Sequence, residues 1–314
     1  MSKPPKMKIL ITGISGGIAR QLAQKLASMG HEVLGIDRRP WHDAPSNVKV
    51  FNVDIRKRPA EDVFRHHKPD ALIHMATVTH LTASQEERYR INLGGTQTIF
   101  EHCHTYGVKQ ALFIGRHTVY GAAADAPLYR NEAEPPLATA TYPALADLVA
   151  ADLFAGSALW RYPQLNTAVL RLAYTLGPSL RGTLASFLGE EKGQTVPTIL
   201  GFDPLFQVMH ESDAVDAIIA ALETKLRGVF NVAGPPPIPL SVLCKKVNRV
   251  TLPLPEPLYN LITRRLSLSS LPLSARKHIK YPVVIQDKAF REQTNYQPRI
   301  GQEELLKSFK SYSR

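Results

Sequence analysis

The chain reads as an α/β protein, a doubly wound parallel sheet with a smaller lobe contributed by its C-terminal part. Three observations carry that reading. Short β-branched runs alternate with helical patterns through the first half. A glycine-rich turn, TGISGGIAR (12–20), leaves the first of these runs and opens the first helix. After Leu176 the alternation gives way to Pro- and Gly-rich segments such as AGPPPIPL and TLPLPEPL. Strands alternating with helices imply right-handed crossovers, and hence a parallel sheet covered on both faces.

In chain order, KILIT (8–12), EVLGID (32–37), VKVFNVD (48–54), ALIHMA (71–76), QALFIG (110–115) and TAVLRLA (167–173) are expected strands. Helices are expected near 17–29, 85–106 and 142–160. Further on, ESDAVDAIIAAL (211–222) predicts a helix capped by Ser212 or Asp213, and GVFNVAG (228–234) a strand. PLYNLITRRLSLSSL (257–271) predicts an amphipathic helix packed on the lobe rather than on a membrane. The expected division is a sheet domain of residues 5–175 plus about 207–234, with 176–206 and 235–314 forming the lobe over the carboxyl ends of the strands.

Hydrophobic residues at 44% and charged residues at 21% are ordinary globular values, and 314 residues leave room for a large core. The apolar run after the N-terminus is too short for a signal peptide, and no stretch approaches 18 apolar residues in a row. Cys103 and Cys244 make no disulfide framework, which fits a reducing cytoplasm. The net charge of +11 is unevenly placed: from Ser241 onward there are 14 Lys and Arg against 5 Asp and Glu. Such a segment suits a nucleotide diphosphate, RNA or an anionic surface, or is a solvated face with no partner. Aromatic residues are not interleaved with the basic ones as on single-strand platforms, which argues against nucleic acid.

The strongest local signal is the glycine turn. Gly13 permits a tight turn, Gly16 lets backbone approach a pyrophosphate, and Ala19 allows the helix to pack on the strand. With Ser15, Gly17 and Ile18, these residues present free N–H groups at a helix N-terminus. Asp37 ends the second strand 20 residues after Gly17. Its carboxylate suits ribose hydroxyls and repels a 2′-phosphate, favouring NAD, whereas Arg38 and Arg39 leave NADP open. Asp54, followed by Ile55, is placed to meet the adenine edge.

These residues resemble the extended short-chain dehydrogenase/reductases, the NAD-dependent epimerase/dehydratases of nucleotide sugars, in an atypical form of that Rossmann-type fold. IHMAT (73–77), with Met75, Ala76 and Thr77, is similar to the family's loop lining the cofactor, and INLGGTQTIFEHC (91–103) to its Asn-containing helix, with Asn92. TVYG (118–121), LRLAYTLGP (170–178), FQVMHESDAVDAI (206–218) and GVFNVAGP (228–235) follow as landmarks in the same order. The resemblance implies NAD as cofactor, a nucleotide sugar or other small hydroxylated ligand, and a homodimer through helices 85–106 and 142–160.

The family's reaction uses a Tyr as proton carrier, a Lys four residues later that lowers the Tyr pKa, and a Ser or Thr that holds the substrate oxygen. These positions fall on Tyr142, Ala146 and Arg116. No lysine lies between Lys109 and Lys192 and no serine between Ser84 and Ser157, so no shift in alignment restores them. An unassisted Tyr with pKa near 10 is about 0.1% ionised at neutral pH, a cost of roughly three decades or ~4 kcal/mol if tyrosinate is the base. Three readings follow. The site is rewired, with Arg116 as electrostatic partner of Tyr142 and Thr118 supplying the hydroxyl from the same side of an extended strand. Alternatively the chain binds the dinucleotide without turning it over, as a sensor, with Arg116 an anion anchor. The third reading is RNA binding through the basic C-terminal part. Tyr174 stands where the family places a substrate-binding Asn. His102 and His104 are two apart on a helix and point to different sides, so no metal is expected there. His117 is expected to face away from Arg116, and His210 to be structural.

Overall fold

Residues 6–78, 84–189, 195–266, 268 and 275–312 are described by a computed structural model of the chain. Seven parallel strands form the central sheet: β1 (Lys8–Thr12), β2 (Glu32–Asp37), β3 (Val48–Asn52), β4 (Ala71–His74), β5 (Gln110–Arg116), β6 (Asn166–Leu172) and β7 (Gly228–Val232). Their order across the sheet is β7-β6-β5-β4-β1-β2-β3. The winding reverses between β1 and β4, which opens a crevice at the carboxyl ends of those two strands.

The period of two along each strand sorts side chains between two helical layers. On one face Ile9, Ile11, Leu112 and Leu170 pack against α1 (Gly17–Ser28) and a later helix spanning Glu211–Glu223. On the other, Leu10, Leu34, Leu72, Phe113 and Val169 meet α2 (Arg58–His67) and the helices Gly95–Thr105 and Ala146–Arg161. We label the remaining helices of these layers α3 (Gln85–Tyr89), α4 (Gly95–Thr105), α5 (Ala146–Arg161) and α6 (Glu211–Glu223). A third core, with Leu176, Leu188, Ile199, Phe206, Leu243, Tyr259 and Phe309, belongs to the segments around the Thr195–Ile199 and Val250–Leu254 strand pair.

Several expected elements shift. The helix expected at 142–160 begins only at Ala146. Before it come a short helix Ala138–Thr141 and a 3-10 turn Pro143–Leu145, with Tyr142 between them at φ −144°, ψ 85°. Proline fixes φ and disfavours the helical region for the residue before it, so Pro143 breaks the helix at Tyr142. The 85–106 stretch is interrupted by a π turn, Arg90–Gly94, between α3 and α4. Helix α2 was not expected from its charged sequence; Pro59 opens it and Ala60, Val63 and Phe64 bury its inner face. Helix α6 is capped by His210 and not by Ser212 or Asp213: the imidazole accepts from the Ser212 N–H at 3.1 Å, a structural role for His210 as expected. Asp213 instead accepts from the backbone N–H groups of Arg299 and Ile300. The helix expected at 257–271 is described as Tyr259–Arg265, and residues 267 and 269–271 lie outside the described residues.

The 143–161 stretch is apolar and long enough to cross a membrane by length and composition alone. Here it packs on the sheet through Ala151, Ala155 and Ala158. Asp152 of this helix is buried and paired with Arg171 of β6, whose Nη2 lies 2.6 Å from Oδ1, while Nη1 donates to the Tyr120 hydroxyl at 2.8 Å. The Tyr120 hydroxyl in turn donates to Asn231 of β7 at 2.9 Å, tying β6, β7 and α5 together. Replacing Arg171 by Leu strands a buried carboxylate. The expected loss is about 3–5 kcal/mol, read by urea unfolding; a change below ~1 kcal/mol would show that the pair is not what holds α5 to the sheet.

Candidate functional site

The crevice is built on the glycine turn. Gly13 adopts φ +74°, its N–H donates to the Ile36 carbonyl at 2.8 Å, and a Cβ there would stand 2.8 Å from the backbone of Met75 and Ala76. A side chain is thus excluded twice, by conformation and by space. A Cβ on Gly16 would lie 3.2 Å from the Gly13 carbonyl. No side chain caps the N-terminus of α1, so its first N–H groups keep their capacity for an anion. Asp37, 8% exposed, accepts from the Ser15 N–H at 3.0 Å and from the Arg39 N–H at 2.9 Å. Each carboxylate oxygen retains a lone pair for a ribose hydroxyl. This cradle fits a dinucleotide.

Other predicted residues arrive with different partners. Arg38 is half-exposed and reaches towards Glu87. Asp54 is held by Arg56 through two side-chain bonds of 2.9 and 2.6 Å, and that hydrogen bonding keeps its carboxyl down at about 2. Ile55 is buried against the point where a Gly95 side chain would stand. Met75, Ala76 and Thr77 form the loop after β4, with the Met75 N–H donating to Thr12. Ile18 is partly buried at the start of α1.

Asn92, expected at the cofactor, is engaged by protein groups. It is wholly buried in the π turn, its Oδ1 accepts from the Val78 N–H at 2.7 Å, and its Nδ2 donates to the Val78 carbonyl and to Asp147. Being paired on both ends, it clamps the loop after β4. Behind that loop, His74 bridges Thr12 and Thr96 at 2.6 and 2.9 Å.

The catalytic positions also differ from expectation. Beyond Arg116 the chain turns into a 3-10 helix, His117–Tyr120, so Thr118 does not continue the strand on the side of Arg116. Gly121 closes this turn at φ +78°, and a Cβ there would meet Thr141 and Ala138 within 2.8 Å. The end of β5 therefore abuts the segment carrying Tyr142. That tyrosine is 7% exposed, and its hydroxyl has no hydrogen-bond partner among the described residues. Burial raises its pKa above the ordinary value of 10, and the charge that opposes this is Arg88, not Arg116. Arg88 is itself buried, 3.6 Å from Asp147, and donates to the Ala144 carbonyl at 2.8 Å. The charge of Arg116 acts instead on Tyr174, whose phenol burial pushes up to about 12. His117 is inside, against the same ring at 4.5 Å between centroids, rather than facing away from this corner. His278, from the C-terminal part, lies 6.0 Å from the Tyr142 ring.

Arg88 and His278 were thus missed by sequence reasoning. SQEERYR reads as a solvated charged helix, and no motif marks a histidine 136 positions after Tyr142. Arg181, whose guanidinium donates to the Ser15 carbonyl at 3.2 Å, was likewise unmarked in GPSLRG. No group of three or more His, Cys, Asp or Glu suited to a metal occurs among the described residues.

The family profile described as "NAD dependent epimerase/dehydratase family" matches residues 9–233. An uncharacterised protein of Mycobacterium tuberculosis is 25% identical over 260 residues, 80% of this chain and 68% of that protein. Among solved structures, MoeE5 in complex with UDP-glucuronic acid and NAD superposes with a TM-score of 0.79 at 20% identity, over 98% of this chain and 99% of that one. The Thermus thermophilus UDP-glucose 4-epimerase, in complex with NAD, gives 0.78 at 21% identity, over 98% and 99%. At these identities the superpositions establish the fold.

His74 and His117 are buried as neutral imidazoles, both pushed down to about 3 by burial. Because the folded values lie below the unfolded value near 6.5, there is no effect above that pH. As pH falls from 6.5 towards 3, the unfolded chain takes up protons that the folded chain refuses. Each histidine then lowers stability by about 1.4 kcal/mol per pH unit. Denaturant unfolding at pH 7, 6, 5 and 4 is expected to show this decline, shallower in His74→Gln; a flat profile would contradict the neutral burial.

Proposed function

The chain belongs to the NAD dependent epimerase/dehydratase family, and on that premise we propose that it binds NAD along the Gly13–Ile18 turn and Asp37 and reduces a carbonyl on a nucleotide sugar. The observation that carries the direction is the state of Tyr142. With Ala146 where the family's lysine stands, and with burial raising the phenol above 10, this tyrosine is protonated at neutral pH. A protonated phenol is a competent general acid and a poor base. When bound, the reduced nicotinamide supplies the hydride. Tyr142 then gives its proton to the oxygen of the carbonyl being reduced, and solvent reprotonates the phenolate. Arg88 lowers the cost of that transient phenolate, because a nearby cation favours the charged form. The nucleotide-sugar ligand is supported by the ligands and names of the neighbours with this fold, UDP-glucuronic acid in MoeE5 and UDP-glucose 4-epimerase in Thermus thermophilus.

Titration of the protein with NADH, followed by nicotinamide fluorescence, is expected to show binding that Gly13→Val lowers at least tenfold, since its side chain would enter the Met75–Ala76 backbone. With keto-sugar nucleotides, NADH oxidation is expected, falling about 10²–10⁴-fold in Tyr142→Phe. NADH binding without oxidation across a panel of such ketones would point to a dinucleotide sensor and remove the reductase reading.

We also propose a homodimer through α5 and the 85–105 helical stretch. Leu153 and Trp160 lie seven residues apart on one face of α5, 52% and 80% exposed, and the Phe100–Phe154 ring contact joins α4 to α5. Sedimentation is expected to give a dimer that Trp160→Glu converts to monomer; a monomeric parent protein would sink this assembly.

A further inference from the structure

Arg116 is a half-buried cation at the carboxyl end of β5, with no ion pair or hydrogen bond among the described residues. The side chains around it are uncharged. Tyr174 is a phenol with its pKa pushed up to about 12, and His117 and His278 are imidazoles pushed down to about 3 and 4 by burial. A cation partly withdrawn from water without a counter-charge is a place where an anion brought from outside gains electrostatic free energy.

His117 adds a second requirement. Its Nδ1 lies 3.0 Å from the Leu172 carbonyl, which only accepts, so Nδ1 carries the proton and Nε2 presents a lone pair. That Nε2 is buried and has no partner among the described residues, and neither has the Nε2 of His278. The corner therefore lacks two things: an anion beside Arg116 and a hydrogen-bond donor beside His117. The cofactor's own phosphates do not reach it. They belong over the glycine turn after β1, and β5 lies two strands away in the sheet, roughly 10 Å at the usual spacing.

We propose that Arg116 and His117 form a subsite for a hydroxy acid, a sugar carboxylate held by Arg116 with a neighbouring hydroxyl donating to His117 Nε2. This rests on the reading that the pocket takes a nucleotide sugar, and it places an acidic sugar, not a neutral hexose, at the reacting end. Arg116 occupies the place where the family resemblance puts a neutral hydroxyl, so the exchange replaces recognition of an alcohol oxygen by recognition of an anion.

Calorimetric titration of the NADH-loaded protein with UDP, UDP-glucose and UDP-glucuronate tests it. UDP-glucuronate is expected to bind at least tenfold more tightly than UDP-glucose. Arg116→Gln should erase that preference, Arg116→Lys should retain part of it, and both should leave NADH and UDP affinity unchanged. Equal affinity for the two sugars, or a preference that survives Arg116→Gln, would overturn the subsite while leaving the nucleotide-sugar reading intact. Equal weakening of UDP and both sugars by Arg116→Gln would also overturn it, by placing a diphosphate on the guanidinium. Failure of UDP and both UDP-sugars to bind would remove the nucleotide-sugar reading. Free glucuronate against glucose at millimolar concentration then decides the subsite on its own.

Discussion

The architecture of the site depends on one steric constraint, the contact of Gly13 with the backbone of Met75 and Ala76. There is no room between them for a methyl group. The strands β1 and β4 are hydrogen-bonded neighbours up to Thr12 and His74, and they part immediately beyond that pair. The glycine turn and the Met75–Thr77 loop therefore leave the sheet as two walls in contact at their base. His74 keeps them so, bridging Thr12 on one strand and Thr96 on α4 from inside the protein. The depth and direction of the cofactor crevice follow from this contact.

A second set of interactions hangs Tyr142 on that frame. Asn92 ties the loop after β4 to α5 through Asp147, and Asp147 faces Arg88, which holds the Ala144 carbonyl. Tyr142 sits two residues before that carbonyl, so one buried network reaches from the crevice wall to the proposed proton donor. The network includes unpaired polar atoms: the Nε of Arg88 and Oδ1 of Asp147 lack hydrogen bonds. Burying a charged pair that is only partly satisfied is costly.

The sheet was legible because its signals are local. Alternation of apolar residues is enough to place β1, β2 and β5, and TGISGGIAR carries its own turn chemistry. The family landmarks brought Tyr142 and Arg116 into consideration as site residues. What sequence did not show was how side chains converge from distant segments. Extending β5 by two residues put Thr118 beside Arg116, but the chain turns into a 3-10 helix there, and a one-residue difference in backbone course redirects every following side chain. Asn92 looked like a ligand contact because its motif was familiar, whereas its π turn withdraws it into the interior. Arg88 sits in a run of charges that resembles a solvated face, and only the packing of α3 against α5 reveals it as buried. His278 comes from a segment with no periodicity to read.

The break that Pro143 imposes has a consequence for how such a site changes over time. Because α5 starts at Ala146, that position and Arg88 both border the short Tyr142–Leu145 link, and Arg88 already binds the Ala144 carbonyl there. A lysine introduced at 146 would bring a second cation into a small volume whose one carboxylate, Asp147, is already committed to the first. A lysine at 146 and the arginine at 88 would thus compete for the same carboxylate. The effect of substituting position 146 therefore depends on a residue 58 positions away in the chain.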